Sequence, residues 1–319
     1  METYIIPTSS AEHIGANLLN LNVGANVLFL GKNKDGKNVF PDGETYVRIP
    51  DIELLEDARV IVLHSGMPEP DRGYMELQNV LDILNKPVKS EPLGDKKFKE
   101  TDINKYGSLE VFFTYYAYGR QDKRFQTGEA RTAESKMNLL TDHYGVQKIY
   151  TIDLHCADAD WLKKYPVKNI SADKALIAAI GNDGYRGVIH MAPDKGAQAR
   201  NGIKGLEKSR ENSYEVNMKA NQDLGVRGKI VVVDDDIIGT GGTMVGARDT
   251  FLEHGAKDVL AAVTHGVMPE GIEKVSKAYT KLFLTNTINR PEANVDITEL
   301  VWNAINNQEI GEPGGKSNN

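Results

Sequence analysis

The stretch that most restricts the fold of this chain is Val231-Val232-Val233-Asp234-Asp235-Asp236-Ile237-Ile238-Gly239-Thr240-Gly241-Gly242-Thr243-Met244. Lys229-Ile230 lead into three valines, a continuous apolar, β-branched run of the kind buried in a parallel sheet. Acidic residues follow, then a glycine-rich loop, then an amphipathic segment from Met244 to His254. The order is strand, anion-binding loop, helix. There is no Gly-x-x-x-x-Gly-Lys, so it is not a Walker loop. The physics is related: glycines let backbone N–H groups close around a phosphate, Thr hydroxyls add donors, and a helix N-terminus supplies positive partial charge. The carboxylates at the strand end repel phosphate and suit hydroxyl groups or a hydrated Mg²⁺. A ligand with both features is a sugar phosphate.

Other segments repeat the strand–helix alternation that builds a parallel α/β sheet. In the first half, strands are expected at Tyr4–Pro7, Val27–Leu30, Arg59–Ser65, Leu109–Tyr118 and Lys148–Leu154. Helices are expected over Ala11–Leu21, Asp71–Leu84 and Ala133–His143, the second presenting Met75, Leu77, Val80, Leu81 and Leu84 at helical spacing. In the second half, a helix over Ala172–Ile180 precedes strands at Gly187–Pro193, Lys229–Asp236, Val259–His265 and Lys281–Ile288, and Ile297–Ile305 is a last helix. Two α/β domains are expected, 1–158 and 159–306, with a frayed tail at 307–319. Lys86–Gly107 breaks the pattern: polar, rich in Lys and without a clear period, it reads as a surface insertion. It is either a solvated loop or a charged arm that meets a partner subunit.

With 319 residues the chain has room for two domains of ordinary size. Its formal charge of −7 gives no sign of nucleic-acid or acidic-membrane binding. No apolar run approaches the roughly 20 residues of a membrane span, and the N-terminus lacks the features of a secretory signal. The single cysteine, Cys156, excludes an internal disulfide and a cysteine-cluster zinc site; it reads as a small packing residue rather than a nucleophile. These features favour the cytoplasm.

Ligands of open α/β sheets lie at the carboxyl ends of strands, so residues there are the candidates for chemistry. His155 follows Asp153-Leu154 at one such end and suits a divalent metal or a phosphate. Asp194, before Lys195-Gly196, is a metal or phosphate-oxygen site or else a helix N-cap. Arg120, Gln121 and Asp122 after the aromatic strand offer guanidinium, amide and carboxylate contacts suited to a nucleotide. Phe40, Asp42 and Glu44 combine an aromatic plane with two carboxylates, although Pro41-Asp42-Gly43 is also an ordinary turn. Lys208 and Arg210 lie in the charged stretch Leu206–Asn212. That stretch is either a solvated loop or an arm that closes two cations over a phosphate chain.

Taken together these residues resemble a known family. Asp235–Thr243 is similar to the phosphoribosyl-diphosphate loop of type I phosphoribosyltransferases. Phe40–Glu44, Tyr116–Arg124, Asp153-Leu154-His155, Pro193-Asp194 and Val263-Thr264-His265-Gly266 narrow the likeness to the ribose-phosphate diphosphokinases, in their archaeal-type branch, over about Pro7 to Ile305. The resemblance implies two tandem type I phosphoribosyltransferase-like domains, each with a mainly parallel sheet flanked by helices. It implies transfer of the diphosphoryl group of ATP to the 1-hydroxyl of ribose 5-phosphate, releasing AMP. It implies ATP on Phe40, Asp42, Glu44, Arg120, Gln121 and Asp122, with Mg²⁺ on His155 and Asp194. It further implies the sugar hydroxyls or a second Mg²⁺ on Asp235 and Asp236, the 5-phosphate on Thr240, Gly241, Gly242 and Thr243, and catalysis by Lys208, Arg210 and His155. It also implies a homo-oligomer, a dimer or an assembly of dimers. The chain departs from the pattern at Gly239, where many relatives carry Asp, at Gly241, in the order of Tyr116-Ala117-Tyr118-Gly119, and in the 86–107 insertion. Two other functions stay open on sequence: a phosphoribosyltransferase that consumes the product, and a non-catalytic regulatory paralogue.

Overall fold

The computed structural model describes residues 1–201, 205–206, 208–212, 215–218 and 224–307. Expectations for 307–319 fall almost wholly outside these residues. The chain divides into two compact units, Met1–Ile170 and Ser171–Asn319.

Unit 1 is built on β1 (Thr3–Pro7), α1 (Glu12–Asn20), β2 (Asn26–Val27), β3 (Arg59–Ser65), α2 (Pro70–Asn85), β4 (Val88–Gly94), β5 (Lys97–Asp102), β6 (Ser108–Tyr115), α3 (Thr132–Asn138), β7 (Lys148–Ile152) and β8 (Val167–Ile170). Six strands form a sheet in the order β2-β1-β3-β6-β7-β8, and every pair is parallel. The chain steps to one side of β1 and then to the other, which makes a topological switch point between β1 and β3. β8 pairs with β7 from Ile149↔Val167 to Ile152↔Ile170. The first unit therefore extends past the expected boundary between 158 and 159, because its sheet needs this edge strand.

Two expectations are corrected in unit 1. On α2 the buried stripe is Tyr74, Leu77, Leu81 and Leu84 with Val80, whereas Met75 is 50% exposed; residues three and four apart share a helix face, and Met75 falls off it. The 86–107 insertion is an antiparallel ribbon, β4 with β5, in one register from Val88↔Asp102 to Pro92↔Phe98, with a shift before Gly94↔Lys97. Its turn carries positive φ at Gly94, Asp95 and Lys96. The ribbon is exposed along nearly its whole length, including Leu93 and Phe98.

Unit 2 contains α4 (Asp173–Asn182), β9 (Ile189–Met191), α5 (Lys195–Asn201), β10 (Lys208–Asn212), β11 (Glu215–Met218), β12 (Ile230–Ile238), α6 (Gly242–Glu253), β13 (Asp258–Gly266), α7 (Pro269–Ala278), β14 (Leu282–Leu284) and α8 (Thr298–Ile305). Its main sheet runs β14-β13-β12-β9, again all parallel. Alternate residues of β12 point to opposite faces. Val231 and Val233 pack with Met244, Phe251, Ile272 and Val275 of α6 and α7. Val232 packs with Leu176 and Ile180 of α4. Burial on both faces is why this strand reads as an unbroken apolar run. The charged stretch expected as a loop at 206–212 contains β10, which pairs antiparallel with β11 and places Lys208 opposite Met218 and Arg210 opposite Val216. A two-stranded ribbon of this kind needs no apolar period. Among the described residues no helix is long and apolar enough to cross a membrane.

Candidate functional site

In unit 1 the candidate residues lie in three segments. The first is the Phe40–Glu44 turn. The Phe40 amide donates to the Glu44 carbonyl at 2.8 Å and the Gly43 amide to the Phe40 carbonyl at 3.0 Å, while the Glu44 amide donates to Asp42 Oδ1 at 3.1 Å. Phe40 is 42% exposed and meets Tyr46 edge-on, ring centroids 5.5 Å apart. Asp42 and Glu44 are exposed. A polar chain fixes the base of this turn. The buried Glu76 carboxylate accepts from the Ser9 hydroxyl at 2.5 Å and the Ser9 amide at 2.9 Å. Asn38 Nδ2 donates to Ser9 Oγ at 2.7 Å, and Arg72 donates to Asn38 Oδ1 at 3.0 Å. Glu76, Ser9, Asn38 and Arg72 carry no local sequence signal, since the bonds link residues distant in the chain.

The second segment follows β6. Tyr118 has φ +64°, and its hydroxyl donates to Asp71. The Gln121 amide donates to the Tyr118 carbonyl at 2.8 Å and Thr132 Oγ1 to Gln121 Oε1 at 2.7 Å. Trp161 Nε1 donates to the Asp122 carbonyl at 3.2 Å. The loop is thus held at Gln121 and Asp122, while the Arg120 side of it is exposed. The third segment is the bend after β7, where Asp153 takes φ +37°. A single acceptor, Asn169 Oδ1 on β8, receives Thr151 Oγ1 at 3.0 Å and the Leu154 amide at 2.9 Å. The half-buried His155 follows directly. The thiol of buried Cys156 is pushed up to about 12, chiefly by burial, which keeps it protonated and supports the packing role.

In unit 2 Asp194 occupies the N-cap position of α5, its Oδ1 accepting from the Ala197 amide at 2.9 Å. β12 does not stop at the carboxylates. It runs on to Ile238, paired with Gly266, so Asp234, Asp235 and Asp236 lie inside the strand rather than beyond its end. Asp236 is buried, and its amide donates to Asp235 Oδ1 at 3.0 Å. Asp234 stands apart from them: both of its oxygens lie 3.0 Å from His190 Nδ1. That hydrogen bond raises the His190 pKa against the pull of burial, and burial raises the pKa of Asp234.

Past β12 the loop reverses at Gly241, φ +75°, and α6 begins at Gly242. The Gly241 carbonyl accepts from the Val245 amide at 3.0 Å, the first helical bond. Thr240 and Gly242 are exposed and Thr243 is half-buried. Amides of a first helical turn have no partner within the helix, so this end of α6 can receive an anion. In unit 1 the second and third segments follow the carboxyl ends of β6 and β7, and in unit 2 the glycine loop follows that of β12. Lys208 and Arg210 occupy alternate positions of β10. Among the described residues there is no group of three or more His, Cys, Asp or Glu side chains that could hold a metal ion by themselves.

Residues 198–299 match the family model described as phosphoribosyl transferase domain. Over most of its length the chain is similar to the ribose-phosphate pyrophosphokinase of Pyrococcus abyssi, 34% identical over 82% of this chain and 87% of that one. It is likewise 34% identical to the enzyme of that name from Pyrococcus furiosus, covering 83% and 90% of the two chains, and 32% identical to that from Sulfolobus acidocaldarius, covering 82% and 87%. The crystal structure of phosphoribosylpyrophosphate synthetase from Mycobacterium smegmatis shares the fold, with a TM-score of 0.72 at 22% identity over 96% of this chain and 98% of that one. Sustained identity at this level, over nearly the full length of several relatives, places the chain in the ribose-phosphate pyrophosphokinase family.

Proposed function

We propose that this protein transfers the β,γ-diphosphoryl group of ATP to the 1-hydroxyl of ribose 5-phosphate, giving 5-phosphoribosyl 1-diphosphate and AMP. The observation that carries the reading is the run from Asp235 to Thr243: two carboxylates in β12, a left-handed Gly241 and the open N-terminus of α6. Hydroxyl acceptors and an anion cradle adjoin one another there, as a sugar phosphate requires. Asp235 and Asp236 take the ribose hydroxyls, and Thr240, Gly241, Gly242 and Thr243 take the 5-phosphate.

The segments of unit 1 supply the nucleotide side. Phe40, Asp42 and Glu44, with Arg120, Gln121 and Asp122, bind ATP. The exposure of Phe40 fits an aromatic plane offered to the adenine, and it suits a turn that reaches a neighbouring copy in a homo-oligomer. His155 and Asp194 offer imidazole and carboxylate donors to Mg²⁺, which characteristically binds through one or two carboxylates together with substrate phosphates and water. When bound, the ion offsets the charge that develops on the phosphate oxygens. Lys208 and Arg210 stabilise the transferring group, and a site complete only with both substrates in place limits hydrolysis of ATP. The reaction proceeds in the cytoplasm.

The test is direct. The protein is incubated with ATP, ribose 5-phosphate and Mg²⁺, and AMP and 5-phosphoribosyl 1-diphosphate are followed together. Equimolar appearance of the two products is expected. Failure of both to form across varied phosphate and metal concentrations would overturn the proposal.

A further inference from the structure

The glycine loop of unit 2 leans on a helix that none of the sequence motifs includes. A Cβ placed on Gly271, in the first turn of α7, would overlap the Gly239 carbonyl oxygen and stand 3.1 Å from the carbonyl carbon of Thr240. From the other side, a Cβ on Gly241 would stand 2.9 Å from the Gly271 carbonyl oxygen and 3.2 Å from Val275 Cγ2. Bare backbone touches bare backbone, and neither side has room for a methyl group. The support extends beyond the contact. The amides of Val267 and Met268, just before α7, approach the Ile238 carbonyl at 3.1 and 3.3 Å. Tyr279, just after α7, donates its buried hydroxyl to the Met244 carbonyl in α6 at 2.6 Å. Arg290 holds the carbonyls of Gly266 and Val267 at 3.1 and 2.6 Å. The α7 segment thus grips the chain before, at and after the loop.

We propose that Gly271 is a positioning residue for ribose 5-phosphate: the missing side chain at 271 lets α7 seat against Gly239–Gly241 and set the anion-accepting shape of the loop before the ligand arrives. The proposal rests on the reading of Thr240–Thr243 as the 5-phosphate site. The physical reason lies in the loop's composition. Glycines lose more backbone freedom on ordering than other residues, and a loop that had to order itself on binding would lose affinity by that amount. α7 orders it in advance, as part of folding. Gly271 touches no substrate in this account.

The test compares four proteins by calorimetry, with ribose 5-phosphate and a non-hydrolysable ATP analogue as separate ligands. In Gly271→Ala the new methyl drives the Gly239 carbonyl away. The Kd for ribose 5-phosphate should rise about tenfold or more, because a loop that must order itself on binding loses affinity, while the Kd for the ATP analogue stays within about twofold. Phe251→Leu, a change in the buried face of α6, is the structural control: its Tm falls and neither Kd moves. A Gly271→Ala protein that weakens both ligands equally overturns the proposal. So does one that keeps normal ribose 5-phosphate binding while Thr243→Ala loses it. If Thr243→Ala also binds normally, the 5-phosphate reading of the loop is what fails, and the role of Gly271 fails with it. Should Gly271→Ala not fold, backbone NMR order parameters of the unmodified protein decide. Amides of residues 239–243 that are already rigid without ligand support a preset loop, and amides that become rigid only with ribose 5-phosphate overturn it.

Discussion

Asn169 is the residue by which the bend carrying His155 can be loosened without touching His155 itself. Its Oδ1 receives two donors, the hydroxyl of fully buried Thr151 and the amide of Leu154. Between them Asp153 sits at φ +37°, a left-handed conformation that residues with a Cβ adopt at some cost, smallest for Asn and Asp. The Asp153 amide is also tied to the Ile170 carbonyl at 2.9 Å, so β8 as a whole holds the bend in its unfavourable state. Asn169→Ala removes the shared acceptor. Two hydrogen bonds at about 0.5–1.5 kcal/mol each make a loss of about 2 kcal/mol. For a unit of this size each kcal/mol lowers Tm by about 2–4 °C, so a fall of about 4–8 °C is expected. The bend should then relax away from left-handed φ and swing His155, lowering turnover about tenfold or more at a temperature where the variant is folded. Asn169→Asp keeps the accepting oxygen and should retain most of the stability. Scanning calorimetry and a steady-state AMP assay read the two effects. A lower Tm with full turnover would show that the bend does not position His155; an unchanged Tm would refute the hydrogen-bond account altogether.

The two units should answer pH in opposite directions. Burial pushes His64, in the core of unit 1, down to about 3, so it stays neutral there while the unfolded chain accepts a proton below about 6.5. Its contribution is complete above about pH 6.5 and is lost as the pH falls toward 3, and His64→Gln should flatten the acid limb of a Tm profile. His190 is raised by its bond to Asp234. Its contribution is therefore complete below about pH 6.5 and is lost as the pH rises through the folded-state value, and His190→Val with Asp234→Val should flatten the alkaline limb. Limbs of unchanged slope in these variants would contradict both assignments. Lys208→Ala should lower kcat by about 10²-fold, the scale of a single charge-stabilising donor, with little change in ATP affinity; an equal loss in both would make Lys208 a binding residue only.

How much of this was legible in the sequence depended on the range of the interaction. β12 announced itself because both of its faces are buried, and α6 because glycines precede it. The turn at Phe40 was readable from Pro41-Asp42-Gly43. The network beneath it was not, because Glu76, Ser9, Asn38 and Arg72 meet only when α2 packs beside the first strand. Gly271 looked like one glycine among many; only the approach of α7 to Gly239 makes it necessary. Met75 misled because an apolar residue next to the stripe fits a short helical period nearly as well as Tyr74 does. The 86–107 segment showed no period because a ribbon exposed along its length has no face to hide. The three aspartates read as one cluster, yet the fold separates them: Asp234 belongs to His190, whereas Asp235 and Asp236 are the pair proposed for the sugar.

The β4–β5 ribbon has an architectural consequence. Val88 stands opposite Asp102, and the Ile103 amide donates to the Pro87 carbonyl at 3.0 Å. The chain thus departs from the domain and returns to it at one point, like a siding off a main line. Length added at the tip, between Asp95 and Lys96, is carried outward on a stalk and imposes no stretch on the crossover from α2 to β6. Such sites accept foreign segments with little cost to the host fold. The same geometry lets the arm change length at its tip while the strands of the parallel sheet keep their places.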